Sequence, residues 1–93
     1  GAVGVDLVAV QEISDWARVA HDYLGMAAAC RLAATAPAER PLAFAQGWAE
    51  HEAQLKLFGL HLSEWNDLRA DCSVHALALP PGFAGALALP PEF

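Results

Sequence analysis

The longest helical pattern along the chain lies over Phe44–Gly59, FAQGWAEHEAQLKLFG. At about 100° per residue, Phe44, Trp48, His51, Leu55 and Phe58 share one stripe. Glu52 lies on the edge of that stripe, and Lys56 follows one turn later on the same edge. Pro41 suits the first turn, where a missing N–H costs little. Gly59 stands where helices usually stop. Gly47 weakens the helix by about 1 kcal/mol relative to alanine and marks a candidate for close backbone approach.

Shorter patterns flank this helix. Ala2–Val10, AVGVDLVAV, is short, β-branched and almost wholly apolar, as a buried strand is. Alternation puts Val3, Val5, Leu7 and Ala9 on one face and Gly4, Asp6, Val8 and Val10 on the other. Ser14–Asp15 is a candidate cap for a helix over Trp16–Leu24, with Gly25 as the stop. An alanine-rich helix over Met26–Ala34 follows, then a link over Thr35–Arg40. After Gly59, Leu60, Leu62 and Trp65 are placed to tuck under the core, with Ser63 capping a short turn. Cys72–Leu79 and Phe83–Leu89 read as two strands of a hairpin. Pro81 and Gly82 suit the centre of a type II turn between them, and Pro90-Pro91 ends the pairing.

The element order is therefore β-α-α-α-β-β. It predicts one α+β domain over residues 1–93, a three-stranded, mainly antiparallel sheet with helices packed on one face. A sheet this narrow has open edges, which points to self-association.

Composition narrows the partners. Apolar residues make up 56% of the 93, but many are alanine, so the core is thin and oligomerisation is a natural source of stability. Net charge is −6 with only five Lys or Arg, which argues against nucleic acid. No run approaches the ~18 apolar residues of a membrane span. The N-terminus lacks a basic n-region, so no signal peptide is expected. The chain opens on Gly1, which suggests a processed, tagged or truncated start. Cys30 and Cys72 lack metal-ligand spacing and are expected as buried thiols of a cytoplasmic protein.

The chemistry is confined to a few side chains. His21, His51, His61 and His75 form no metal motif by spacing, and Ser14, Ser63 and Ser73 lack a nucleophile context. Asp6 interrupts an apolar strand. It is either solvated at a strand end or matched by a cation or donors. Glu52 and Lys56 are, on the plainer reading, a surface i, i+4 pair worth a few tenths of a kcal/mol. Packing the long helix on the Asp6 face would instead bring two carboxylates together. Such a pair suits Mg²⁺, which keeps waters and shares phosphate oxygens, while Lys56 adds a positive charge for a phosphate.

The residues Gly4 and Asp6, together with Trp48, Glu52, Ala53, Lys56 and Gly59, resemble the G-x-D strand and W-x-x-K-E-A-x-x-K-x-x-G helix motifs of the 4′-phosphopantetheinyl transferase superfamily. Val8 is similar to the residue found there in the short holo-acyl-carrier-protein synthases, whereas PPGFAGALAL looks like the last hairpin of the larger, surfactin-type enzymes. The resemblance covers essentially the whole chain. It implies transfer of phosphopantetheine from coenzyme A to a serine of an apo acyl or peptidyl carrier protein, leaving 3′,5′-ADP, as in fatty acid or polyketide synthesis. It implies Asp6 and Glu52 as Mg²⁺ ligands, Glu52 and Lys56 as catalytic residues, and the His51 and Lys56 positions as coenzyme contacts.

Three departures accompany the match. His51 replaces the motif Lys, no Ser-His nucleotide motif is evident, and the length is that of one half of a larger enzyme. The family sets the coenzyme between two halves or subunits, so a dimer or trimer is expected. The alternative is a catalytically degenerate half-domain that binds a carrier protein or a partner subunit.

Overall fold

The computed structural model describes residues 3–59 and 72–90. Strand β1 (Gly4–Ala9) leads to helix α1 (Trp16–Val19), which widens into a π-helical turn over Ala20–Leu24. Helices α2 (Met26–Ala34) and α3 (Arg40–Leu57) follow, then strands β2 (Ser73–Ala76) and β3 (Phe83–Leu89). The sheet order is β1-β3-β2, antiparallel throughout, with Asp6 opposite Ala86 and His75 opposite Leu87. Helix α3 packs across β1 and β3. Among the described residues the result is the expected α+β arrangement, three helices and a three-stranded open sheet.

The helix–sheet contact is built from small residues. Ala49 and Ala53 of α3 meet Ala86 and Ala88 of β3, all with no measurable exposure. Short side chains let the two backbones approach closely, and Gly4 takes this to its limit. A Cβ at Gly4 would lie 1.9 Å from the Ala53 carbonyl oxygen and 2.7 Å from the Leu57 nitrogen. The close approach is thus at Gly4, whereas Gly47 has ordinary room, 3.5 Å from a Leu24 methyl.

The buried stripe of α3 is consequently not the predicted one. Phe44, Ala45, Ala49 and Ala53 are buried, while Phe58 is 37% exposed. The aromatic half of the predicted stripe serves a second core, where Phe44 packs with Ala20, Leu24 and Leu32. Trp48 stacks on Phe44 at 6.1 Å and meets Tyr23 edge-on at 5.8 Å. One helix therefore serves two layers, with its small face on the sheet and its aromatic face on the π-helical turn and α2.

Other boundaries follow local chemistry. Pro41 lies in the first turn of α3, and Gly59 adopts φ 67° just past its end. Asp15 holds the N-cap position of α1 without a side-chain cap, because its carboxylate accepts from Arg18 instead. Strand β2 stops at Ala76, short of the predicted Leu79. Pro80 and Pro81 have no N–H to extend the ladder, and the Gly82 carbonyl accepts from Val10 N at 2.8 Å rather than pairing across the hairpin. Gly82 has φ 93°, and Phe83 N bonds Pro80 O at 3.3 Å, as a type II turn requires. Cys30 is exposed and Cys72 only partly buried, contrary to the expected buried thiols. The roles read for Leu60, His61, Leu62, Ser63 and Trp65 lie outside the described residues.

Candidate active site

Asp6 sits on the β1 face that looks toward α3, the face alternation has it share with Gly4. Its side chain is 13% exposed. Lys56 belongs to the last turn of α3, and helical side chains lean toward the helix N-terminus. That lean carries its ammonium back over β1. Nζ lies 2.8 Å from Asp6 Oδ1 and 3.1 Å from the Val5 carbonyl oxygen. The carboxylate in the apolar strand is therefore matched by a cation, one of the two outcomes left open by the sequence. The Lys56 side chain remains 53% exposed.

Glu52 stands one helical turn before Lys56 and is half-buried. His51 beside it is also half-buried, and burial lowers its imidazole pKa below the ordinary 6.5. The structure thus brings Asp6 and Lys56 into contact and sets Glu52 and His51 on the same helix, within a turn or so.

Gln46 escaped the sequence reading. Its Nε2 donates to the Gly85 carbonyl of β3 at 3.1 Å and to Glu50 Oε2 at 3.0 Å, tying α3 to the central strand. The only sequence signal was a Gln–Glu pair at i, i+4. Gln46 acts through the position of α3, which carries Glu52 and Lys56.

A groove of about 510 Å³ opens between the β1–α1 segment and the start of α3, with Ile13, Trp16, Arg40 and Phe44 on its walls. Arg40 lies over the Trp16 ring at 4.3 Å while donating to the Leu32 and Thr35 carbonyls. A smaller apolar pocket of about 250 Å³ continues it to Val8 and Trp48. Val8 is two residues beyond Asp6 on the same strand face, so the apolar space approaches the charged pair along β1.

The donor set can be weighed against a metal. Among the described residues no group of three or more His, Cys, Asp or Glu converges. Mg²⁺ does not need one, because it commonly uses one or two carboxylates and fills its shell with water and substrate phosphate. The Asp6 carboxylate already holds a cation, the Lys56 ammonium, at 2.8 Å. Its position and hard oxygen chemistry fit a small dication.

The model of the 4′-phosphopantetheinyl transferase superfamily matches residues 2–84. The chain belongs to this superfamily. The match includes β1, α3 and the start of β3, and so all of Asp6, His51, Glu52 and Lys56. Compared with the curated proteins, the chain matches none. Membership makes the chain a relative of enzymes that modify carrier proteins. No helix among the described residues is long and apolar enough to cross a membrane.

Proposed function

We propose that this phosphopantetheinyl transferase relative moves the 4′-phosphopantetheine group from coenzyme A to a serine of an apo acyl or peptidyl carrier protein, with Mg²⁺ and as a homo-oligomer. The observation that carries the reading is the Asp6–Lys56 pair at the α3–β1 contact of a chain in this family. In the reaction the serine oxygen attacks the phosphorus that bears the pantetheine arm. The pyrophosphate P–O bond breaks, and 3′,5′-ADP leaves with the electron pair. Glu52 takes the serine proton, directly or through a water. Lys56 is half exposed, so rotating its side chain carries the ammonium from Asp6 to a phosphate oxygen, where it offsets developing charge. Asp6 and Glu52 would hold Mg²⁺, which supplies Lewis-acid polarisation of the phosphate and a template for it.

Mass spectrometry of apo carriers incubated with the protein, coenzyme A and Mg²⁺ tests this. The expected result is a gain of the phosphopantetheine mass that disappears with Glu52→Ala. Carriers left unmodified, when a control transferase labels them, would overturn it.

A second reading has its own support. His51 occupies the position of the family's motif Lys, and Lys56 is held at two points on β1, as a purely structural strap would be. On that reading the chain is a non-catalytic half-domain that binds a carrier or a partner subunit. Binding would then be indifferent to Glu52→Ala and to Mg²⁺.

A further inference from the structure

The Asp6 side chain is 13% exposed, so its charge is costly unless a cation meets it. The Lys56 ammonium meets it at 2.8 Å from Oδ1, with the Val5 carbonyl oxygen as a second anchor at 3.1 Å. The Lys56 side chain is nevertheless 53% exposed, and its flexible four-carbon stem has other positions toward solvent. Asp6 thus carries a tethered cation of its own, supplied by the fold and able to withdraw.

We infer that Lys56 is a specificity-determining residue of this site. It holds Asp6 against free divalent cations and yields it to a cation that arrives with a phosphate. The inference rests on the metal assignment of the proposed reading, in which Asp6 and Glu52 would hold Mg²⁺. Charge supports it. With the ammonium in place, Asp6, Glu52 and Lys56 together leave a single net negative charge, and Asp6 Oδ1 is occupied. Mg²⁺ sheds its water reluctantly and gains little from so weak a site. A phosphate changes the balance, because it offers the ammonium another anion. With the ammonium on the phosphate, both carboxylates are open to a dication, and phosphate oxygens complete its shell. Metal and phosphate therefore favour each other's binding, and the linkage is reciprocal.

The same geometry defines the ligand class. The ligand that releases Asp6 must engage an ammonium and a dication at once. A pyrophosphate has the charge and the oxygens for both, whereas a monovalent anion such as acetate lacks the charge.

Mn²⁺ is a suitable probe, because carboxylate and water ligands suit it as they suit Mg²⁺, and electron paramagnetic resonance reads the free ion. The unaltered chain, Lys56→Gln, Lys56→Met and Asp6→Asn are titrated with Mn²⁺ alone, with acetate and with coenzyme A, each against a protein-free control. Circular dichroism confirms folding, and Lys56→Gln keeps a donor for Asp6 if Lys56→Met does not fold. A folded Lys56 variant should bind free Mn²⁺ about tenfold tighter or more than the unaltered chain, because one opposing charge is gone. Coenzyme A, unlike acetate, should tighten Mn²⁺ binding by the unaltered chain about tenfold or more, and by the Lys56 variants much less. Asp6→Asn should lose the tight binding throughout. Equal affinity for free Mn²⁺ in the unaltered chain and the folded Lys56 variants would overturn the inference. So would an effect of coenzyme A that survives loss of Lys56 undiminished. No Mn²⁺ binding with or without coenzyme A would overturn it together with the metal assignment. Carrier labelling reads transfer separately. A chain that labels carriers without this linkage keeps the proposed transfer and loses the inference, and one that shows the linkage but labels nothing does the reverse.

Discussion

Lys56 Nζ and Asp6 Oδ1 lie 2.8 Å apart, although 50 positions separate the two residues in the chain. The contact ties the end of α3 to the first strand and gives the one carboxylate of β1 its cation. Removing either partner has unequal effects. With Lys56→Met, a mostly enclosed Asp6 loses its cation, which is costly. With Asp6→Asn, a half-exposed ammonium turns to solvent at little cost. Lys56→Met should destabilise by about 1–2 kcal/mol and Asp6→Asn by less. The double variant should recover about 1 kcal/mol relative to the sum of the singles. Urea denaturation of the four proteins measures this, and a coupling near zero would show that the pair is electrostatically idle.

Gly4 and Gly47 make a second, opposed pair. A methyl group at Gly4 meets the backbone of Ala53 and Leu57, which cannot swing away as a side chain can. Gly4→Ala must therefore lift α3 from β1, and its expected cost is about 3 kcal/mol or more, comparable to other overpacked core sites. At Gly47 the added methyl meets only a Leu24 side-chain atom at 3.5 Å, inside a helix where alanine is preferred. Gly47→Ala should stabilise by about 0.5–1 kcal/mol. Thermal melts of the two variants should move in opposite directions.

These two glycines also show how far the sequence could be read. Both were visible as punctuation in apolar segments, but only the register of β1 under α3 decides which backbone is crowded. The elements themselves were legible, because a β-branched run, alanine-rich helices and a Pro-Pro-Gly turn each carry local signals. That Asp6 shares a face with Gly4 and Val8 was legible from alternation, but which face α3 covers was not. The stripe of α3 was not legible either. Aromatic residues outweigh alanines in any hydrophobic count, yet the sheet selects alanine because the contact is so close. Nor was the partner of Lys56 legible, since Glu52 at i−4 offers a local alternative that spacing cannot distinguish from a distant Asp6.

His51 makes stability depend on pH in a defined window. Burial holds its folded pKa below 6.5, so between the folded value and 6.5 the unfolded chain binds more protons. Stability therefore rises with pH through that window, and the His51 contribution is lost as pH falls through it. Above about pH 7.5 the residue is neutral in both states and the dependence fades. His51→Gln should flatten the slope of denaturation midpoint against pH between about 5.5 and 7.5, while the carboxylate titration at lower pH persists in both proteins. An unchanged slope would assign the dependence to other groups.

Ligand linkage separates a cation site from a structural carboxylate. If Asp6 holds Mg²⁺ against a phosphate, Mg²⁺ and coenzyme A together should stabilise more than the sum of their separate effects. At a hundredfold excess over the dissociation constant the gain is about 2.7 kcal/mol, or a rise of roughly 10 °C or more for a domain of this size. EDTA should abolish the joint shift, and Asp6→Asn should not show it. A shift with coenzyme A that ignores both EDTA and Asp6→Asn would detach the metal from this strand.

Glu52 and Lys56 are one turn apart, yet the fold asks different things of them. Lys56 bonds β1 at two oxygens, so changing it disturbs both the α3–β1 contact and any chemistry at the site. Glu52 is half-buried on the same helix, and its two roles, accepting the serine proton and holding Mg²⁺, both belong to the proposed reaction. Glu52→Gln keeps the size and polarity of the side chain but removes both the base and a carboxylate that would hold Mg²⁺. It should lower transfer to a carrier by about a hundredfold or more while shifting the melting temperature by less than about 2 °C. Lys56→Met should lower both. If Glu52→Gln instead retains transfer, the serine proton goes elsewhere, and the case for catalysis by this helix would rest on Lys56 alone.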